Sequence, residues 1–214
     1  MENNNVIEIK NLSKIINDIT ILNDISVNFE KGKIYGIVGT NGSGKSMMFK
    51  SICGLINSTK GEIKVFDEII KDGSFPKSTG IIIESPGFLP QYSGFKNLKI
   101  LASINNVVSD EDIKNVISLV GLEPNDKRAV KKYSLGMKQR LGIAQALIEK
   151  PKLLILDEPM NGLDEDGVKL IRDILLGLKK ESVTILLASH NKEDISELCD
   201  EVYKMKKGVL LVDE

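Results

Sequence analysis

The chain has 214 residues, 42% of them hydrophobic and 28% charged, enough to bury a real core in one large domain or two small ones. With 29 Lys and Arg against 30 Asp and Glu the net charge is −1, so a basic stripe for nucleic acid would need an equally acidic region to offset it, and the sequence shows neither. The first ten residues, MENNNVIEIK, lack a basic region followed by an apolar one, and no later segment approaches the roughly 20 apolar residues of a membrane span, so any membrane role is expected through a partner.

The β-type segments come first. VIEIKNLSKII, ITILNDISVNFE and KIYGIVG, separated by the turn residues Asn17, Asp18 and Lys31-Gly32-Lys33, predict an antiparallel layer. A glycine-rich turn then opens a predicted helix over about 44–56, and GEIKVFD and GIIIE follow as strands. Between about 95 and 148 the pattern changes: EDIKNVISLVGL and SLGMKQRLGIAQALI space their apolar residues by three and four, as amphipathic helices do.

KLLILDE and VTILLASH are short continuous apolar runs of the kind found in strands buried on both faces, with a helical stretch over 164–180 between them. Strand, helix, strand at this spacing predicts a right-handed parallel crossover and an α/β core sheet, and EVYKMKKGVLLV reads as a final hairpin. There is no internal repeat and no low-complexity linker, so the expectation is one compact domain carrying a helical subdomain. Cys53 and Cys199 lack metal spacing and fall in helical-looking stretches, which makes them reduced packing thiols suited to the cytoplasm.

The most specific chemistry lies in GTNGSGKS, Gly39, Thr40, Asn41, Gly42, Ser43, Gly44, Lys45 and Ser46, directly after the strand IYGIV and directly before a helix. Phosphate oxygens need many donors at short range. Glycines let backbone N–H groups approach them, and the helix N-terminus adds partial positive charge. Lys45 would reach the β and γ phosphates, and the Ser46 hydroxyl would sit on Mg²⁺, a hard cation that takes oxygen ligands.

In LLILDEP two carboxylates emerge from the end of a buried strand, where ligands of open parallel sheets gather. Asp157 suits a water-mediated contact to Mg²⁺ and Glu158 suits polarising the attacking water. The single histidine, His190, ends TILLAS at the same rim, where a neutral imidazole could bond the γ-phosphate or hold the water and Glu158 in register.

Together the P-loop, YSLGMKQR opening a helix, LLILDEP, the following MNGLD and the switch SH resemble, in order and spacing, the nucleotide-binding subunit of an ABC transporter over essentially the whole chain. The resemblance implies a P-loop NTPase fold of the ABC type. It has a mixed core sheet, an antiparallel β layer and a helical subdomain, with a RecA-like core at about 1–84 and 150–214 and the subdomain at about 85–149. It also implies an ATPase whose subunits, identical or homologous, pair head to tail around two ATP molecules. The site would lie at the cytoplasmic face of the membrane, attached through a permease subunit.

Within the signature, Ser134 and Gly136 would meet a γ-phosphate presented by the second subunit; Leu135 stands where the family has glycine and Met137 where it has glutamine. Asp164 would lie at the dimer seam, or simply cap the next helix. Aligning NLSKIIND puts Ile16 where the family stacks an aromatic on adenine, which predicts a weak preference for adenine over guanine.

Glu84 falls where the family carries a glutamine that contacts Mg²⁺. A carboxylate keeps the ligand role but repels phosphate unless metal neutralises it, so nucleotide binding is expected to depend unusually on Mg²⁺. IIIESPGF with YSLGMKQRL resembles the ATPases of bacitracin and lantibiotic self-resistance exporters, which makes antimicrobial peptide efflux the expected role. Relatives in that subgroup often extend beyond the last hairpin, where this chain stops at Glu214. A ribosomal ABC-type ATPase is the competing class, expected to carry two such cassettes; a chromosome-maintenance ATPase would carry a long heptad segment between P-loop and signature. Finally, Phe88, Leu89, Tyr92 and Phe95 concentrate large apolar groups in a chain with 5% aromatics, either as a docking surface for a membrane subunit or as a cap on the local core.

Overall fold

The computed structural model describes residues 4–71 and 73–212. Strands β1 (Asn5–Ile16) and β2 (Ile19–Glu30) form a long hairpin. Its two turn residues, Asn17 and Asp18, both take positive φ, 47° and 62°, the geometry that short polar side chains tolerate in a tight hairpin turn. Strand β3 (Ile34–Val38) leads into helix α1 (Lys45–Ile52), followed by β4 (Lys60–Val65), β5 (Glu68–Ile69) and β6 (Thr79–Ile82).

Three helices then intervene: α2 (Gly94–Ala102), α3 (Asp110–Leu119) and, after a 3-10 turn at Val130–Lys132, α4 (Leu135–Leu147). The chain continues through β7 (Leu153–Asp157), α5 (Glu165–Lys180), β8 (Thr184–Ala188), α6 (Lys192–Leu198), β9 (Glu201–Lys206) and β10 (Val209–Val212). Among the described residues no helix is long and apolar enough to cross a membrane.

Two sheets result. One is antiparallel, in the order β2-β1-β4-β5; the other runs β10-β9-β3-β8-β7-β6, parallel from β9 to β6 with β10 antiparallel at its edge. The expected antiparallel layer therefore contains GEIKVFD rather than KIYGIVG. The latter leaves the hairpin at Lys31-Gly32 and enters the core sheet between β9 and β8, because Ile34, Tyr35 and Ile37 are apolar on both faces and need cover on both.

The period of two is visible in where residues go. Leu153, Ile155, Leu186 and Ala188 face one apolar cluster, shared with the antiparallel sheet and α1; Leu154, Leu156, Ile185 and Leu187 face the other, shared with α2 to α5. A sheet buried on both faces in this way leaves only its strand ends for polar chemistry.

Helix α1 stops at Ile52, four residues short of the expected end. Gly54 takes φ 66°, and the Leu55 N–H closes back on the Lys50 carbonyl at 2.9 Å, a left-handed helix stop that satisfies an otherwise orphaned carbonyl. The other helices are capped by their own sequence. Ser93 and Ser134 each accept an N–H of the first turn, and Ser109 with Asp112 forms a reciprocal capping box, each device worth about 1 kcal/mol.

Helix α5 has Asp164 at its N-cap, acids at Glu165 and Asp166 and bases at Lys179 and Lys180, matching the helix dipole at both ends. It is tied to α6 by Arg172, which donates two bonds to Asp194 Oδ1 at 3.0 and 2.6 Å and one to Glu197 at 2.8 Å.

The aromatic cluster after β6 divides. Phe88 and Phe95 pack on the core, while Leu89 and Tyr92 remain exposed. The Asn97 amide staples this segment, accepting the Leu89 N–H and donating to the Leu89 and Ser93 carbonyls at 3.1 and 3.0 Å.

Candidate nucleotide site

Strands β3, β6, β7 and β8 end on the same edge of the core sheet, and the loops beyond them enclose a cleft of about 630 Å³. Asn41, Gly42, Ser43, Gly44, Lys45 and Ser46 line it from one side; Glu84, Asp157 and Glu158 line it from the strand ends. Lys45 is 7% exposed, its ammonium donating to the Gly39 carbonyl at 2.8 Å and to that of Thr40 at 3.4 Å. The Ser46 hydroxyl donates to Asp157 Oδ2. The Ser43 hydroxyl, buried in the loop, is bonded to nothing among the described residues, a polar atom left for a ligand.

Asp157 is the last residue of β7 and 9% exposed; Glu158 follows with φ 52° and its N–H on the Ala188 carbonyl at 2.9 Å. That turn swings the Glu158 carboxylate out of the strand toward His190, whose Nδ1 lies 2.8 Å from Oε2. The loop carrying His190 is itself held from behind. Buried Asp194 accepts the Ser189 hydroxyl at 3.1 Å, and Ser189 Oγ accepts the Asn191 N–H. Gln139 of α4, 8% exposed, donates to the Pro159 carbonyl at 3.0 Å and so fixes the chain just past Glu158.

Glu84 sits two residues past β6 with φ 64°. Its Oε1 is met by Lys50 Nζ at 2.5 Å, a partner on α1 that no sequence motif indicates. Ile16 does not line the cleft. It lies at the tip of the first hairpin, 41% exposed, and the aliphatic wall of the cleft comes from Ile21 instead.

Ser134, Gly136 and Asp164 line a second cleft of about 620 Å³, together with Tyr133, Arg140 and Gly162. Ser134 Oγ accepts the Met137 N–H at 3.2 Å at the N-terminus of α4. Gly136 lies so close to the Gly162 carbonyl that an added Cβ would stand 2.8 Å from it, so the backbone approach there requires glycine. Asp164 accepts the Gly167 N–H at 3.0 Å and Arg140 at 2.8 Å, and these two bonds hold its carboxyl below the usual carboxylate range. Leu135 borders both clefts and is 69% exposed.

A glycine loop between a parallel strand and a helix, faced by carboxylates at neighbouring strand ends, defines a P-loop nucleotide hydrolase. Residues 22–161 match the ABC transporter family, and the chain belongs to it as an ATP-binding cassette with ATPase activity. It is 53% identical over 210 residues to the ABC transporter ATP-binding protein YybJ of Bacillus subtilis, covering 98% of this chain and 96% of that one. It is 40% identical over 209 residues to the bacitracin transport ATP-binding protein BcrA of Enterococcus faecalis, covering 96% and 68%, and to the lantibiotic transport ATP-binding protein SrtF of Streptococcus pyogenes, covering 98% and 90%.

Among solved structures, an ATP-binding subunit of an ABC transporter superposes with TM-score 0.87 at 25% identity, covering 96% of this chain and 88% of that one. CbiO1 of Clostridium perfringens, part of the ABC transporter complex CbiONQ, superposes with TM-score 0.81 at 27% identity, covering 98% and 88%.

Proposed function

We propose that this cassette powers export of an antimicrobial peptide or similar amphiphile through a separate membrane-spanning permease, working as a head-to-tail pair at the cytoplasmic face of the membrane. The observation that carries the hydrolytic part is the Glu158–His190 pair at the rim of the P-loop cleft. The substrate class is supported by the names of two relatives at 40% identity, and the division into a core at about 1–84 and 150–214 and a helical subdomain at about 85–149 is part of the same reading.

In this reading ATP occupies the 630 Å³ cleft. Lys45 exchanges the Gly39 and Thr40 carbonyls for phosphate oxygens, and the backbone N–H groups from Asn41 to Ser46 and the Ser43 hydroxyl turn toward the phosphates. Glu158 takes the proton of the attacking water, and His190 orients that carboxylate. Ser134 and Gly136 act on the nucleotide of the second subunit, with Asp164 at the seam.

The residues fit Mg²⁺. The Ser46 hydroxyl and the Asp157 and Glu84 carboxylates are hard oxygen donors lining the cleft, and no cluster of three His, Cys, Asp or Glu among the described residues forms a metal cage without phosphate. When bound, Mg²⁺ would supply positive charge against the β and γ phosphate oxygens.

The test is resistance. Produced with its permease in a host sensitive to bacitracin and lantibiotics, the parent chain raises the inhibitory concentration of at least one such peptide and Glu158→Gln does not. Equal sensitivity for both chains, with the ATPase co-sedimenting with ribosomes, replaces the exporter by the ribosomal reading.

A further inference from the structure

Ser46 and Lys50 are four residues apart on α1 and therefore share a helix face. That face meets two strand ends at once: Ser46 donates to Asp157, the last residue of β7, and Lys50 pairs with Glu84 beyond β6 at 2.5 Å. The two sides of the second pair differ. The Lys50 side chain is 26% exposed, its stem laid along the protein, whereas that of Glu84 is 66% exposed.

The chain on either side of Glu84 packs against other elements. β6 ends two residues before it, and the Pro86 ring two residues after it fills the space over Gly142 of α4, where an added methyl would collide with it. The Glu84 side chain is the exposed part, and Lys50 is the partner it meets.

We propose that Lys50 is a positioning residue for Glu84. It holds the carboxylate at the edge of the cleft and cancels the charge that distinguishes it from an uncharged amide, so that a glutamate can border a triphosphate before metal arrives. This inference rests on the reading of Glu84 as facing the Mg²⁺–ATP site. It also refines the sequence-based expectation for that residue: the Glu84 charge already meets a cation inside the protein, and Glu84→Gln both removes the acid and frees the Lys50 ammonium, two changes that favour the triphosphate in the absence of metal.

The experiment is a double-mutant cycle on the full chain, read as affinity for a fluorescent ATP analogue in EDTA and in excess Mg²⁺. Lys50→Met weakens binding in EDTA by about two- to fivefold, the range of one partly exposed ion pair, and by less in Mg²⁺. On the Glu84→Gln background the same change has at most half that effect on a logarithmic scale, and Lys50→Arg keeps the parent affinity. Equal factors for Lys50→Met in the two backgrounds overturn the proposal, since Lys50 then acts only as a general positive charge. If the two changes are coupled but the coupling is the same with and without metal, the pairing stands and the metal-facing role of Glu84 is what fails.

Discussion

The two clefts at the strand-end edge of the molecule use the same residue types and differ in how those residues are partnered. In the P-loop cleft the groups assigned to phosphate, metal and water are each held by a partner from another element: Lys45 by the Gly39 carbonyl, Ser46 by Asp157, Glu84 by Lys50, Glu158 by His190. In the signature cleft the polar groups are engaged chiefly at helix N-termini, with one bond across, from Arg140 of α4 to Asp164. Ser134 caps α4, Asp164 caps α5, and between them Leu135 stands 69% exposed. The first arrangement can bind with its own side chains; the second offers a helix N-terminus and an apolar knob to some other surface.

The sharpest way to break this comparison is Glu158→Gln. Hydrolysis is expected to fall by about 10²- to 10⁴-fold with ATP binding retained, because the amide cannot take a proton. Single-turnover phosphate release and nucleotide titration read the two effects separately; turnover within about twofold of the parent would remove Glu158 from the role. His190→Ala is expected to cost less, since the carboxylate remains and only its orientation is lost. Unchanged hydrolysis there removes His190 from the site and leaves it an exposed partner of Glu158.

The signature cleft is addressed by Ser134→Arg. In the Glu158→Gln background it should weaken ATP-dependent dimerisation in sedimentation while each chain still binds ATP. Equal dimerisation with and without the arginine means that the cleft is not completed in trans.

Ile16→Tyr gives a smaller effect. If the hairpin tip closes over the base, an aromatic there favours ATP over GTP by a stacking contribution of about 0.5–1.5 kcal/mol, and equal shifts for both nucleotides keep Ile16 away from the base.

An effect on stability rather than on binding lies outside both clefts. Burial pushes the Cys53 and Cys199 thiols from an ordinary 9.0 up to about 12. The folded chain therefore keeps protons that the unfolded chain releases between about pH 9 and 12, so stability falls as pH rises through that window. Denaturation midpoints at pH 8 and 10 should separate more in the parent than in a Cys53→Ala, Cys199→Ala chain, in which the tyrosines that burial pushes up still contribute.

What could be read from the sequence was whatever is local. The P-loop, Asp157, Glu158 and His190 each adjoin an apolar run that betrays a buried strand, and strands of one parallel sheet must end on a common edge. KIYGIVG was misplaced because a Lys-Gly-Lys turn beside a β segment looks the same whether the chain folds back on its neighbour or crosses to another sheet. Lys50 and Gln139 are hard to single out from the sequence, since the partners they hold are 34 and 20 residues away. For Lys50 a trace existed: a residue one turn after the P-loop serine must share its face.

Glu158 takes the left-handed backbone at φ 52°, a region that costs a residue with a full side chain about 1–2 kcal/mol. Asparagine enters that region more readily, so Glu158→Asn relieves the turn while removing the group that faces His190. Heat resistance and turnover therefore pull in opposite directions at this one position. A screen that rewards survival at high temperature alone would be drawn to substitutions here that leave a sturdier cassette unable to cleave what it binds.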